Sequence, residues 1–346
     1  KAKQQSVRHN TCVCLYTHML APPPAGGRRE IGVDEISVVL AHLGAAHDVA
    51  VAAALSHTWR SVALPRLASE GVLRPADGAI QILARSLKAK DPTFVACSPA
   101  ASLVAIAESS QHRIVICSLV TGEVVRTLGK FGWASGAADG LNYPKGLAFD
   151  PSGEHLFVAD RSNHRVIKMN AATGAVVAGV GSRGYGDGCF KYPQGVAFAD
   201  TPAHGPLVFV CDYGNDRIVA LEPTALEWRF CFGAEASGGA EASGSAAEAA
   251  AEAADEDEEA HVLQLPSGIA ADATECFVVD GSAHEVHVFS TADGSRLRRL
   301  GQRGTWPGQF EFPWGVALWR PPGAGSGGAA ERRLLVAEGA ASGGRR

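Results

Sequence analysis

The sequence predicts an all-β fold built from repeated small sheets, and two regularities support this prediction. A Pro-x-Gly-aliphatic-Ala cassette occurs four times, and a degenerate copy precedes the four. The five cassettes begin at Pro92, Pro144, Pro193, Pro266 and Pro313. Each cassette is followed by an apolar run that ends in an acid, and these acids are Glu108, Asp160, Asp212, Asp280 and Glu338. Self-similarity at a period of about 20–50 residues indicates a solenoid or a propeller.

The spacing of the acids identifies one insert. Consecutive acids lie 52, 52, 68 and 58 residues apart, and the long interval contains the low-complexity segment 234–259. This segment carries nine acids, no base and no aromatic residue. Like-charge repulsion and the lack of aromatic residues prevent such a segment from building a core. We therefore expect a disordered surface loop between two repeats.

Each repeat contains three or four short apolar runs separated by turn residues, which is typical of β-strands. In the best copy we assign four strands, named a to d, to 146–149, 156–159, 165–169 and 175–180. The runs 156–159 and 207–210 do not alternate between polar and apolar residues, so both faces of these strands should be covered. Sheets stacked radially between similar sheets provide that environment, and the sequence therefore predicts a β-propeller.

The turn after strand b resembles the signature of the NHL repeat. The matching segments are Asp160-Arg-Ser-Asn-His-Arg165, Asp212-Tyr-Gly-Asn-Asp-Arg217 and Glu108-Ser-Ser-Gln-His-Arg113, and Asp280-Gly-Ser-Ala-His-Glu285 keeps the frame without the arginine. The resemblance covers about residues 92–346 and implies an NHL-type β-propeller. Such propellers usually have six blades and about 4.5 are visible here, so we expect a truncated ring. Segment 79–90 fits either a closing strand or a short helix.

The N-terminal part has a different character. Residues 1–30 include Ala-Pro-Pro-Pro-Ala-Gly-Gly at 21–27, and we assign them to a linker or a disordered segment. Residues 31–75 show a helical apolar period and predict a small α-helical module. This module resembles the F-box in Asp34-Glu35-Ile36, Val39-Leu40, Leu43 and Leu55-Ser56-x-x-Trp59-Arg60, although Gly32-Val33 replaces the usual Leu-Pro. The alternative is an unrelated helical pair packed on the propeller.

The F-box resemblance implies that the module docks a Skp-type adaptor. The residues expected to contact the adaptor are Ile36, Val39, Leu40, Leu43 and Trp59. The chain thus divides into the segment 1–30, the helical module 31–75, and the propeller 79–346 with its acidic insert at 234–260.

Composition indicates a compartment and disfavours one class of partner. The eight cysteines form no C-x-x-C pair and five lie in or beside predicted strands, so we expect buried free thiols in a reducing compartment, cytoplasmic or nuclear. No apolar run predicts a membrane span.

The net charge of −5 comes from the acidic insert. The rest of the chain contains 31 bases and 27 acids. The propeller is therefore near neutral, which makes RNA a possible partner that is not favoured.

The sequence contains no convincing catalytic or metal-binding set. His284 and His287 are three residues apart in a predicted strand, so their side chains should point to opposite faces. The run Gly179-Val-Gly181-Ser-Arg-Gly184 has no following helix with which to form a phosphate site. The repeated acids fit a structural role, because a carboxylate after a strand accepts backbone N–H bonds and pairs with arginine. We therefore expect a protein that is not an enzyme, with no cofactor and no bound metal.

Binding in a propeller usually resides on the loops of one face, because the strands are occupied by packing. The b–c turns and the d–a loops should share that face, with the middle residue of each Pro-x-Gly near the channel mouth. The expected target-binding residues are Lys145, Arg161, Arg183, Tyr185, Gln194, Tyr213, Ser267, Trp306 and Trp314.

Three functions are compatible with this organisation. The favoured one is a non-catalytic substrate receptor of a cullin-RING ubiquitin ligase, with the helices on the adaptor and the propeller on a target protein. The second is a stand-alone NHL propeller scaffold that binds protein or RNA. The third and least favoured is a metal-dependent lyase centred on the channel.

Overall fold

The computed structural model describes residues 16–19, 92–98, 100–118, 123–133, 140–234, 263–304, 306, 308–319 and 333–338. All structural statements below concern these residues. The helical module 31–75, segment 79–90 and most of the acidic insert lie outside them, so the predictions made for those segments stay predictions.

The described part of the chain contains strands and short turns of 3₁₀ helix. The strands are β1 Tyr16–Met19, β2 Pro92–Ser98, β3 Leu103–Glu108, β4 Arg113–Ser118, β5 Val124–Leu128, β6 Lys130–Phe131, β7 Gly140–Leu141, β8 Pro144–Phe149, β9 His155–Asp160, β10 Arg165–Asn170, β11 Val176–Val180, β12 Val196–Thr201, β13 Gly205–Asp212, β14 Arg217–Leu221, β15 Trp228–Phe232, β16 Pro266–Ala271, β17 Glu275–Asp280, β18 Glu285–Ser290, β19 Arg296–Leu300, β20 Pro313–Trp319 and β21 Arg333–Glu338. The 3₁₀ turns are Ser109–Gln111, Arg161–Asn163 and Tyr213–Asn215.

Four antiparallel sheets of four strands each follow one another along the chain. We number these blades 1 to 4, and they consist of β2–β5, β8–β11, β12–β15 and β16–β19. The first strand of each blade contacts the first strand of the next, and β20 continues the series. This is a β-propeller arrangement, as the sequence predicts. In blade 2 the observed strands agree with the predicted ones to within two residues.

Apolar side chains from adjacent blades form the cores, and β9 shows why its sequence does not alternate. Val158 is fully buried in the cluster that blade 2 shares with blade 1. Its neighbour Phe157 is 1% exposed and packs in the cluster shared with blade 3. Because successive side chains of a strand point to opposite faces, a strand between two blades must be apolar on both.

A fifth sheet, blade 5, contains β20 and β21, and β1 adds its third strand. β1 runs antiparallel to β21, with Tyr16 opposite Val336 and Met19 opposite Arg333. These four residues of the segment 1–30 thus form a strand that no sequence pattern predicts. The physical reason is that strand pairing can join segments that are far apart in the sequence. The edge of β21 has N–H and C=O groups that need hydrogen-bond partners, and a segment without a strong strand pattern of its own supplies these partners.

The Pro-x-Gly cassettes lie where the first strands of neighbouring blades approach most closely. Gly146 donates its N–H to the carbonyl oxygen of Gln194 at 2.8 Å. A Cβ atom at Gly146 would lie only 2.0 Å from that oxygen, and one at Gly195 would lie 2.6 Å from the carbonyl oxygen of Ser267. The register of β8 against β9 also shifts between Pro144 and Leu147, as in a β-bulge. Glycine is needed here for close backbone approach.

Burial differs among the described cysteines. Cys117, Cys211 and Cys276 are buried, which confirms the prediction for these three, whereas Cys231 is exposed. Burial raises the pKa of the Cys117 thiol to about 11. Among the described residues, no helix combines the length and apolar character needed to cross a membrane.

We predict that Gly146→Ala destabilises the propeller by about 3 kcal/mol, because the added methyl group forces adjacent first strands apart. Gly186→Ala is the matched control, since a Cβ there would meet no atom within 4 Å. The control should change stability by less than about 0.5 kcal/mol. Urea unfolding of both variants measures the difference, and equal stabilities would contradict the role given to Gly146.

Candidate functional site

The strand pairing places the b–c turns and the d–a loops at one edge of every blade. In blade 2, the last residue of β9, Asp160, lies opposite both Pro144 at the start of β8 and Arg165 at the start of β10. The same arrangement occurs at Glu108 and Asp280 in blades 1 and 4. We call this side of the propeller, formed by the b–c turns and the d–a loops, the loop face.

A buried carboxylate organises the loop face in blade 2. Asp160 has no exposed surface, and its Oδ1 accepts the backbone N–H of Asn142 at 2.7 Å. Its Oδ2 accepts hydrogen bonds from Nδ2 of Asn163 and Nε of Arg165, both at 2.8 Å. Arg165 also donates to the carbonyl oxygen of Gly140. One carboxylate thus ties the b–c turn to the loop that enters its own blade.

The other blades repeat this carboxylate with different donors. Asp212 accepts from the N–H of Lys191 at 2.7 Å and from Asn215 and Arg217 at 2.7 and 2.9 Å. Asp280 accepts from the backbone N–H of Gln264, the counterpart of Lys191. It has no arginine beside it, and the backbone N–H groups of Ser282 and Ala283 donate instead.

Burial raises the pKa of the carboxyl groups of Asp160 and Asp212, and the surrounding donors oppose that rise. The donors, one of them a guanidinium, favour the ionised form of each carboxyl group. A carboxylate fully occupied by donors is a structural tie, and its lone pairs have no access to a substrate proton.

A second tie connects each blade to the next, and the sequence analysis missed it. The residue that ends the b–c turn has left-handed backbone and accepts a hydrogen bond from the residue that precedes the next Pro-x-Gly. The three pairs are His112 with Tyr143, His164 with Tyr192, and Asp216 with Leu265, at 3.2, 3.2 and 2.7 Å. The sequence does contain a signal for this hydrogen bond, because His or Asp occupies the fifth position of each signature. Burial lowers the pKa of His164, and the charges of Arg183 and Arg161 lower it further.

The loop face also carries the exposed aromatic residues of the described chain. Seven Phe, Tyr and Trp side chains are exposed there: Phe131, Trp133, Tyr143, Tyr185, Trp306, Phe312 and Trp314. All seven lie on d–a loops or at the start of strand a. Trp306 is 72% exposed and Tyr185 is 67% exposed. Protein surfaces seldom concentrate large apolar groups in this way without a binding role.

Part of this aromatic surface borders a cleft of about 340 Å³. Tyr213 and Leu265 line it from one side, and Phe312 and Trp314 line it from the other. The ring of His284 contacts Phe312 edge-on, with 5.5 Å between the ring centroids. The cleft is therefore mostly apolar and lies at the junctions of blades 3, 4 and 5.

The channel beneath the loop face contains a cavity of about 90 Å³. Its described lining is apolar and comes from all five first strands, with Phe94, Leu147, Val196, Ile269 and Val316 as one representative of each. No group of three metal-ligating side chains occurs among the residues that the structure describes. The lining offers no ligand for a metal ion, so the lyase hypothesis has no support from the described channel.

The structure separates the predicted target-binding residues into three groups. Arg183, Tyr185, Trp306 and Trp314 are exposed on the loop face, while Lys145, Arg161 and Tyr213 are half-buried there. Gln194 and Ser267 are 4% and 1% exposed, because the close approach of the first strands encloses them. The Ser267 hydroxyl donates to the carbonyl oxygen of Trp314 at 3.1 Å, so its side chain serves packing. The predicted adaptor-binding residues Ile36, Val39, Leu40, Leu43 and Trp59 lie outside the described residues.

Comparison with known proteins agrees with this architecture. The NHL repeat family matches residues 141–169, which include β8, β9 and all but the last residue of β10 in blade 2. No curated protein matches the sequence. The chain thus carries an NHL repeat within a β-propeller arrangement.

Three solved structures resemble the chain at low identity. They are a nidogen/laminin complex (15% identity, TM-score 0.42), the hydrazine synthase of Kuenenia stuttgartiensis (19%, 0.34) and the dihydro-heme d1 dehydrogenase NirN in complex with DHE (18%, 0.35). The matches cover 60%, 50% and 60% of this chain. They cover 62%, 38% and 36% of the three matched chains, less than two thirds of each.

We predict that Arg165→Leu destabilises the propeller by about 3–5 kcal/mol, because it leaves the Asp160 carboxylate buried without its charge partner. The side chain of Arg165 is 13% exposed. Arg113→Leu is the matched comparison, since Arg113 pairs with Glu108 but is 38% exposed and should cost less. Adding Asp160→Asn to Arg165→Leu should recover part of the loss, which chemical unfolding would measure. Equal losses for both arginines, or no recovery, would contradict this account.

Proposed function

We propose that this chain is a non-catalytic protein-interaction protein whose loop face binds a target protein. The observation that carries the proposal is the position of the seven exposed aromatic residues, all on that face. Aromatic residues are enriched at interfaces, where they become anchors once water is excluded. The presence of an NHL repeat agrees with a scaffold role.

The spread of these residues favours a macromolecule over a small ligand. Trp133 lies on the loop between blades 1 and 2, Tyr185 on the loop between blades 2 and 3, and Trp306 on the loop between blades 4 and 5. A small molecule could contact only one such junction, and the channel cavity is too small for most ligands. A protein surface can cover several junctions at once.

We propose further that the chain is a substrate receptor of a cullin-RING ubiquitin ligase. This finer proposal comes from the sequence alone, in which an F-box-like segment at 31–75 precedes the propeller. In this arrangement the helices hold a Skp-type adaptor and the loop face presents a target to the ligase. A stand-alone scaffold with the same loop face is the alternative.

We predict that the double variant Trp306→Ala/Trp314→Ala weakens target binding at least about tenfold, because interface anchors are commonly Trp residues. The control is Val177→Ala/Leu297→Ala, which removes exposed apolar groups from strands away from the loop face. Proteins captured by the full chain would be identified by quantitative mass spectrometry, and their affinities remeasured with purified components. Equal binding by the two double variants would reject the loop face as the target site.

We predict that the full chain forms a stoichiometric complex with a Skp-family adaptor and that Leu40→Ala/Trp59→Ala abolishes it. Removal of two large apolar contacts costs a helical interface several kcal/mol, about 2 kcal/mol or more for each anchor. Co-purification and size-exclusion chromatography would detect the complex. Target binding in the absence of any adaptor complex would favour the stand-alone scaffold.

A further inference from the structure

Three cationic side chains lie together on the loop face at the junction of blades 2 and 3. We call Arg161, Arg183 and Lys191 the cationic cluster. Arg161 comes from the b–c turn of blade 2, and the other two come from the loop that connects blade 2 to blade 3. The charges of both arginines act on the same imidazole, that of His164, whose pKa they lower in addition to the effect of burial. The geometry supports this placement, because Arg161 lies over the ring of Tyr192, which contacts the ring of His164, and Arg183 and Lys191 lie on the loop that carries Tyr192.

Within the described part of the chain, no member of the cationic cluster forms an ion pair with a carboxylate. The buried Nε of Arg161 has no hydrogen-bond partner among the described residues. Arg165, four residues further on, shows the contrast, because it pairs with Asp160 at 2.8 Å. Asp187 is the exposed carboxylate of the same loop, and no ion pair joins it to the cluster.

Aromatic rings hold two of the cations in place. The guanidinium carbon of Arg161 lies 4.9 Å from the ring centroid of Tyr192, and Nζ of Lys191 lies 5.5 Å from that of Tyr185. The ring of Tyr192 also contacts the ring of His164, with 4.5 Å between centroids. Both Arg161 and His164 therefore contact the ring of Tyr192, so this ring is not available to stack on a nucleobase. The cluster offers positive charge in a fixed position, which suits an anion.

The cationic cluster continues into the aromatic cleft. The backbone N–H of Gly214 donates to the carbonyl oxygen of Lys191 at 2.7 Å, which places the turn that carries Tyr213 next to the cluster. Tyr213 in turn lines the cleft together with Phe312 and Trp314. A chain that crosses from blade 2 to blade 5 would therefore meet positive charge first and an apolar cleft second.

We propose that the cationic cluster is an anion subsite that binds the carboxylates of an acidic peptide segment in the target protein, with a bulky apolar residue of the same segment in the cleft. The proposal deepens the protein-binding role proposed above and rests on it. Two arginines and a lysine that form no ion pair with a described residue match two or three adjacent Asp or Glu side chains. Charge complementarity of this kind determines specificity and association rate.

The test measures fluorescence anisotropy of labelled probes with the full chain. The probes are a decapeptide in which four glutamates precede Leu-Phe, the same peptide with glutamines, and a single-stranded oligouridylate. We expect the glutamate peptide to bind at least tenfold more tightly than the glutamine peptide. Arg161→Ala/Arg183→Ala should remove that difference, whereas the equally charged control Arg126→Ala/Arg229→Ala, on the outer strands β5 and β15, should keep it.

Two outcomes would overturn the proposal. One is a glutamate preference that survives in the cluster variant, and the other is tighter binding of the oligouridylate with loss in the cluster variant, which would assign the cluster to RNA. Arg183→Glu, at an exposed position, repeats the test in case Arg161→Ala impairs folding. If targets still require Trp306 and Trp314 while the cluster variants bind normally, the subsite is refuted and the protein-binding role stands.

Discussion

The propeller depends on close contact between the first strands of adjacent blades at the channel. This contact requires a position without a side chain, because the backbone of one blade reaches the space that a Cβ atom at Gly146 or Gly195 would occupy. It also makes a direct bond between blades, from the Gly146 N–H to the Gln194 carbonyl oxygen. Once the first strands are fixed, the outer strands of neighbouring blades lie further apart. Val, Ile and Phe side chains fill the space between these sheets.

The same cassette determines the geometry of the loop face. Pro144 lies opposite Asp160, so the contact at the channel and the buried carboxylate are adjacent in blade 2. The prolines of blades 1, 4 and 5 likewise lie opposite their acids, Pro92 opposite Glu108, Pro266 opposite Asp280 and Pro313 opposite Glu338. A buried carboxylate must be satisfied by donors, since an unpaired one would be too costly. The donors come from the d–a loop and the b–c turn, and this fixes the bases of both. The exposed aromatic residues therefore lie on loops whose bases are held in place, which lowers the entropy cost of any binding there.

Sequence patterns predicted the parts of the structure that repeat. Strands a to d of blade 2 and the structural role of Asp160 follow from apolar runs and from the recurring acid, which are local signals. Two features have no such signal. The pairing of Tyr16–Met19 with β21 joins segments more than 300 residues apart, and the burial of Gln194 depends on the neighbouring blade. The middle residue of Pro-x-Gly was expected at the channel mouth, and its exposure varies because the contact between blades differs at each junction.

Comparison of the blades shows where the chain can vary without loss of the fold. The first position of the b–c turn is Ser109, Arg161, Tyr213 or Gly281, while the acid before it is retained in all four. Each residue is used differently: Ser109 donates to the carbonyl oxygen of Pro144, Arg161 lies over Tyr192, and Tyr213 lines the cleft. The acid is confined by its buried donors, but this position points to the loop face and is constrained only by its neighbours. The side-chain chemistry of the loop face therefore differs here between one junction and the next, on a scaffold that the carboxylates and the cassettes hold constant.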